Sequence, residues 1–198
     1  MKILRVILVL SVFTLGCDDD PPEAIQAIDY FPDEVGNTWI YSATISDSSG
    51  TSATLSPRDT VTLLRKEVGE DQFFLETEGY RFGLPNRFTI EAERILGSGN
   101  SVWLDLNAQP SDTIHRIDHS TYRERWVMQT EVVEVLGEMK TALVLIRYRT
   151  VFNNSFPYFD SYELKTWFVK DMGIVRYRSK SISSEWLYDM ELMEINLN

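Results

Sequence analysis

The sequence predicts an all-β protein of roughly nine or ten antiparallel strands joined mainly by short turns. Three observations carry this. From Val35 onward the apolar residues recur at a spacing of two, and no stretch keeps a helical 3.6-residue period beyond about two turns. Gly, Asn, Asp and Ser clusters punctuate these runs at hairpin spacing. No β-α-β pattern suggests a parallel sheet, and no repeat of about 20–50 residues suggests a propeller or solenoid.

The first element is an address. Residues 1–17, MKILRVILVLSVFTLGC, combine a basic start (Lys2, Arg5) with an apolar run from Val6 to Leu15, the layout of a secretory signal. That run spans about 15 Å as a helix, half of a bilayer's hydrocarbon core, so it predicts a cleaved signal over 1–16 rather than a permanent span. Leu15-Gly16-Cys17 resembles the end of a bacterial lipobox, with Thr14 at the position where Leu is usual. The resemblance implies diacylation of Cys17, the single cysteine of the chain, and acyl chains there are enough to anchor a soluble body. Residues 17–28 begin with Asp18-Asp19-Asp20-Pro21-Pro22 and read as an extended, solvated tether. Residues 29–198 read as one β domain, since no Pro- or Gly-rich linker interrupts them.

Within that domain Trp39, Tyr41, Ala43 and Ile45 share one face of a first strand, which Asp47-Ser48-Ser49-Gly50 ends. Segments 60–68 and 72–80 flank Gly69-Glu70-Asp71 as a hairpin. Phe88, Ile90 and Ala92 alternate with charged and polar residues before Gly97-Ser98-Gly99-Asn100 turns the chain into 101–106. Segment 107–120 is polar and without a strong period, so it reads as the longest loop, with room for one short turn of helix. Strands resume over 122–135 and 140–151 around Gly137-Glu138, then over 161–170 and 174–181 around Asp171-Met172-Gly173, and 186–197 closes the chain.

Two motifs have a familiar form. Tyr30-Phe31-Pro32 followed by Gly36-Asn37-Thr38-Trp39-Ile40-Tyr41 resembles the YFPxxxGNxWxY opening of a widespread group of bacterial lipoproteins and secreted proteins. Thr166 to Val175, with Trp167-Phe168-Val169-Lys170 and Gly173, resembles their closing W(Y/F)xKxxGxV hairpin. Segment 133–144 resembles their middle strand-turn-strand, with Met139 where Phe is usual. The resemblance implies a sheet curled into an open or half β-barrel, similar to LolA-like half-barrel carriers of lipoproteins and lipids. It implies no activity, since fold does not determine function. The same residues also have a structural reading: Gly36-Asn37 as a turn, Trp39 and Tyr41 as core, Met172-Gly173 as positions of positive φ.

The chemistry is sparse. Loss of Lys2 and Arg5 with the signal leaves 17 basic against 30 acidic groups, a charge of −13, which repels nucleic acid and anionic headgroups. One Cys and two His exclude a disulfide and a Cys-rich zinc site, so no cofactor and no metal are expected. His115 and His119, beside Asp112 and Asp118, would share a face if 107–120 held a helical turn, yet they lack the remaining zincin residues and read better as a solvated loop. No GxSxG elbow, Walker loop or dinucleotide fingerprint occurs. Glu76/Glu78, Glu91/Glu93 and Glu163/Asp189 are the carboxylate pairs that a glycan hydrolase could use, but such spacing is common on wet strand faces. Arg147/Arg149 and Arg176/Arg178/Lys180 form two same-parity basic rows, which either make a stripe for an anionic partner or pair across strands with Glu163, Asp189 or Glu191.

What remains is an aromatic set. Trp103, Trp126, Trp167, Tyr177 and Trp186, with Tyr162 and Tyr188, could line a concave face that receives an apolar ligand, or could pack against each other as a closed core. The leading expectation is a lipid-anchored, extracytoplasmic, non-enzymatic carrier-like module on a bacterial membrane, at the outer membrane or cell surface. A partner-binding surface lipoprotein without a pocket is the alternative, and a glycan hydrolase a distant third.

Overall fold

The computed structural model describes residues 25–67, 72–78, 87–97, 101–120, 122–152, 161–181 and 186–198. The signal segment, Cys17 and the Asp-Pro tether lie outside these residues. Among the described residues there are twelve strands, more than the nine or ten that the turn count predicts. They are β1 (Thr38–Ser46), β2 (Ser52–Glu67), β3 (Gln72–Glu78), β4 (Arg87–Ile90), β5 (Arg94–Gly97), β6 (Val102–Asp105), β7 (Thr113–Asp118), β8 (Tyr122–Val135), β9 (Glu138–Val151), β10 (Tyr162–Val169), β11 (Gly173–Ser181) and β12 (Leu187–Asn196).

All pair antiparallel in one sheet ordered β6-β5-β4-β3-β2-β1-β12-β11-β10-β9-β8-β7. Chain neighbours are sheet neighbours except for β6 and β7, which form the two edges, and β1 meets β12 in the middle. The sheet curls until its two edge strands, β6 and β7, approach each other without pairing, so it is a curved sheet and not a closed barrel. Curvature is also evident in the side chains. Trp103 of β6 packs its ring 5.1 Å from the guanidinium carbon of Arg147 on β9, although the two strands stand near opposite ends of the strand order.

The core lies on the inner face. Trp39, Tyr41, Leu63, Phe88, Leu104, Leu145, Phe168, Tyr177 and Met190 are all fully buried there or against it. Alternation explains this for β1, where Trp39, Tyr41 and Ala43 point inward. The ladder carries the same face across β12, where Leu192 opposes Tyr41 and Met190 opposes Ala43. A short 3-10 turn, Ala27–Tyr30, plugs one end: Ala27 is buried, its N–H donates to the Ala92 carbonyl at 2.9 Å, and Phe31 meets Phe88 edge-on at 4.3 Å. The packed body thus begins by Ala27.

The two end motifs meet. The Trp39 indole N–H donates to the Met172 carbonyl at 2.6 Å and the Tyr41 hydroxyl to the Ile174 carbonyl at 2.6 Å, across 133 residues of chain. Gly173 has φ +83° and would place a Cβ 3.2 Å from the Trp39 indole nitrogen, so a residue without a side chain is required for both backbone and space. Its companion at positive φ is Asp171, at 62°, rather than Met172. Asp171 is tied down by its N–H, which donates to the Asp29 carbonyl at 2.6 Å.

Three expectations change. Segment 113–118 is β7, an edge strand and not loop or helix. β2 begins at Ser52, eight residues before the apolar alternation starts at Thr60. The stretch 87–97 is two strands, β4 and β5, with Glu91 N–H donating to the Arg94 carbonyl at 2.8 Å between them. β7 and the start of β2 are polar, partly wet strands without the apolar signal that marks their neighbours, and the Glu91-Ala92-Glu93 break between β4 and β5 carries none of the usual turn residues.

Candidate functional site

The five aromatic residues singled out in the sequence do not come together. Trp103, Trp126 and Tyr177 are buried on the inner face. Trp167 is also buried, at 3 % exposure, but on the outer face. There its indole N–H donates to Glu131 at 2.8 Å, and the side chains of Lys165, Arg176 and Arg178 lie 5.6–6.0 Å from its ring centre. Trp186 sits apart, 47 % exposed. Parity along one strand could not separate Trp167 from the others, because β9 and β10 bury side chains on both faces.

The basic rows separate in the same way. Arg176 and Arg178 lie outside, and both reach the carboxylate of Asp189 on β12, at 2.6 and 2.5 Å. Cross-strand pairing therefore accounts for Arg176 and Arg178 of that row. Arg147 and Arg149 lie inside. Glu124, buried among them, accepts from the Trp126 indole at 2.5 Å, from Arg149 at 2.7–2.9 Å and from the Tyr162 hydroxyl at 3.3 Å. Burial, with Glu124 beside it, pushes the Tyr162 phenol up to about 12. Arg147 is flanked by two indoles, with its guanidinium carbon 5.1 Å from the Trp103 ring and 5.0 Å from the Trp126 ring.

His115 packs on Trp126 at 4.8 Å and His119 stacks on Tyr122 at 5.1 Å. Their neighbour Asp118 is held by Arg116 and Arg123, whose hydrogen bonds keep its carboxyl below the usual range. Among the described residues no three metal-ligating side chains form a group.

Space is also found elsewhere. Where the edges of the curled sheet approach, a hollow of about 350 Å³ is lined by Ile25, Tyr30, Leu106, Met128 and Leu143, with Glu93 and Asp105 at its rim. The larger space, about 680 Å³, is a groove beneath an arm formed by the β8–β9 hairpin. This arm exists because β8 and β9 run 14 residues each. β7 stops pairing with β8 at Val127, and β10 stops pairing with β9 at Ala142. From Glu131 to Thr141 the hairpin therefore pairs with itself alone among the described strands. Leu136 and Gly137 turn it, with φ of 52° and 84°, the two positive values that a two-residue hairpin of right-handed twist needs.

Glu131 fixes the root of the arm through Trp167, Gln129 and Lys165. Across the groove stand Val175, Arg176, Glu191, Leu192 and Met193. The arm and the far wall leave large apolar side chains in solvent: Val132 is 64 % exposed, Met139 66 %, Leu136 46 % and Met193 58 %. The sequence carries no warning of this cluster, since Val132 and Met139 continue strands whose sheet-paired parts, Trp126 to Met128 and Val144 to Ile146, are buried.

Comparison with known proteins gives fold and no more. No family model matches the chain, and no curated protein matches it. A Bacteroides fragilis crystal structure, described as an exported protein with a YmcC-like fold, is similar at a TM-score of 0.52 and 10% identity, over 84% of this chain and 98% of that one. A Parabacteroides distasonis protein described as a lipoprotein aligns over the same shares, at a TM-score of 0.45 and 8% identity. The first likeness places the chain in that fold.

Proposed function

We propose that this protein is a lipid-anchored component of a bacterial cell envelope that acts by binding a protein partner in the groove under the β8–β9 arm. One observation carries the reading. The inner face that would hold a carried ligand is filled by Trp39, Tyr41, Phe88, Phe168 and Tyr177, while Val132, Leu136 and Met193, all exposed, are among the residues that line an outer groove. Clustered apolar exposure of this kind marks an interaction surface. The unpaired edge of β8 beside the groove offers main-chain hydrogen bonds to an extended segment, and the groove takes its side chains. The partner is thus a protein presenting an extended, apolar stretch. Catalysis has no part in this reading, because Asp189 and Glu124 are engaged by arginines.

The anchor follows from the lipobox-like Leu15-Gly16-Cys17, and the Bacteroides fragilis protein of similar fold is itself described as exported. Labelled palmitate is expected to enter the wild-type protein and not Cys17→Ser; equal labelling of both would end the lipid-anchor reading.

For the groove, a photo-crosslinking residue at Val132 or Met193 in intact cells is expected to yield one adduct of the same mass from both positions and none from Ser48, which is exposed in the β1–β2 turn. Absence of adducts at both groove positions overturns the partner reading. A stoichiometric lipid-sized mass on the exported Cys17→Ser protein, purified without detergent, would restore the carrier.

A further inference from the structure

We propose, on the basis that the arm binds protein, that its partner is a second copy of this chain: segment 130–134 of β8 pairs antiparallel with the same segment of the second copy, and each Leu136 enters the other's hollow of about 350 Å³. The direction of the main-chain groups is the starting point. The Met128 carbonyl points away from β9, since it accepts from the Ser111 N–H at 2.8 Å. β8 and β9 pair without a register shift as far as Val135 and Glu138, so alternation aims the N–H and C=O of Thr130, Val132 and Glu134 the same way. No described strand meets them there.

This edge is complementary to itself in one register. A two-fold axis at Val132 sets Val132 against Val132 and Thr130 against Glu134, so every outward N–H and C=O of these residues gains a partner. Glu131 then stands opposite Val133, and no carboxylate directly opposes another. An axis at Glu131 would set that carboxylate against itself, and an axis at Val133 would leave Thr130 opposite the turn residue Leu136. Registers between these set outward groups against groups already used in the β9 ladder.

The same register accounts for the exposed side chains. Met139 lies opposite Glu134 and so shares a face with Val132. Pairing brings Val132, 64 % exposed, beside its copy, and Met139, 66 % exposed, flanks this pair on each side. It also carries Leu136, at the tip of the arm and 46 % exposed, opposite Met128 of the second copy. Met128 lines the hollow where the sheet edges approach, with Leu106, Ala108, Pro110 and Leu143 around it. An apolar knob and an apolar recess thus meet at the separation that the axis at Val132 sets, and two-fold symmetry fills both hollows at once. Any extended segment can satisfy the edge, but this recess lies where the chain's own turn arrives.

The test uses the full chain with Cys17→Ser in a neutral detergent, so that an introduced cysteine is the sole thiol. Opposed residues of a hydrogen-bonded pair lie about 5.5 Å apart between Cα atoms, inside the range of about 4.4–6.8 Å that a disulfide spans. Under mild oxidation Val132→Cys is expected to give a linked dimer, as is a mixture of Thr130→Cys with Glu134→Cys, while Ser48→Cys stays monomeric. Leu136→Asn keeps the turn, since Asn-Gly is favoured at such φ values, and is expected to raise the dimer Kd at least about tenfold in sedimentation equilibrium. Absence of the Val132 disulfide overturns the dimer, as does an unchanged Kd in Leu136→Asn. Thr130→Cys linking to itself as readily as to Glu134→Cys overturns the register. A photo-adduct at Val132 with a different protein, and no disulfide, overturns the second copy and leaves the arm as a protein-binding element, whereas neither adduct nor disulfide overturns both.

Discussion

Trp39→Ala is expected to lower the free energy of unfolding by about 3–5 kcal/mol, the usual loss for a large aromatic removed from a core. That is a large share of the roughly 5–15 kcal/mol that holds a domain together. Trp39 is 2 % exposed, touches Phe31 at 5.3 Å, and donates to the Met172 carbonyl. Trp39→Phe separates the two contributions. It keeps most of the apolar volume but strands a carbonyl in the β10–β11 turn, which costs about 1–3 kcal/mol. Urea unfolding monitored by circular dichroism would measure both. A loss below about 1 kcal/mol for Trp39→Ala would show that the two end motifs do not hold each other.

Glu124→Ala is expected to cost about 3 kcal/mol, the lower end of the range for breaking a buried ion pair, since the Arg149 side chain keeps 22% of its exposure. The loss arises chiefly from what remains behind: Arg149 without a counter-charge and the Trp126 indole N–H without its acceptor. Replacing both charges, as Glu124→Leu with Arg149→Met, should recover much of the stability, because apolar pairs of similar volume commonly substitute for buried ions. A double variant as unstable as the sum of the single changes would show that the two residues act separately.

These residues also show how far the sequence can be read. The first strand, the Asp171–Gly173 turn and the Gly137 turn are legible because alternation and positive-φ residues are local signals. β7 is not, since an edge strand with one wet face can be built from Thr, His, Arg and Asp. The candidate site is still less legible. Whether Trp167 shares a face with Trp126 depends on the ladder between β8, β9 and β10, and nothing in a single strand records it. The arm depends on unequal strand lengths, which appear when β7 and β10 stop pairing. The contrast between Arg147 and Arg149 turns on Glu124, 23 and 25 residues before them in the chain, brought opposite by a hairpin register.

The meeting of β1 and β12 at the centre of the sheet imposes an order on assembly. Strands β1–β6 and β7–β12 can each zip up from neighbouring hairpins, with little chain entropy lost at each step. The ladder that joins the halves cannot form until Leu187–Asn196 is available, the last of the twelve described strands to be synthesised. Until then one side of β1, carrying Trp39, Ile40 and Tyr41, is an open and adhesive edge. A chain delivered to its compartment while still lacking this strand would remain two unjoined halves, so the arrival of β12 becomes the event that commits the sheet to its native form.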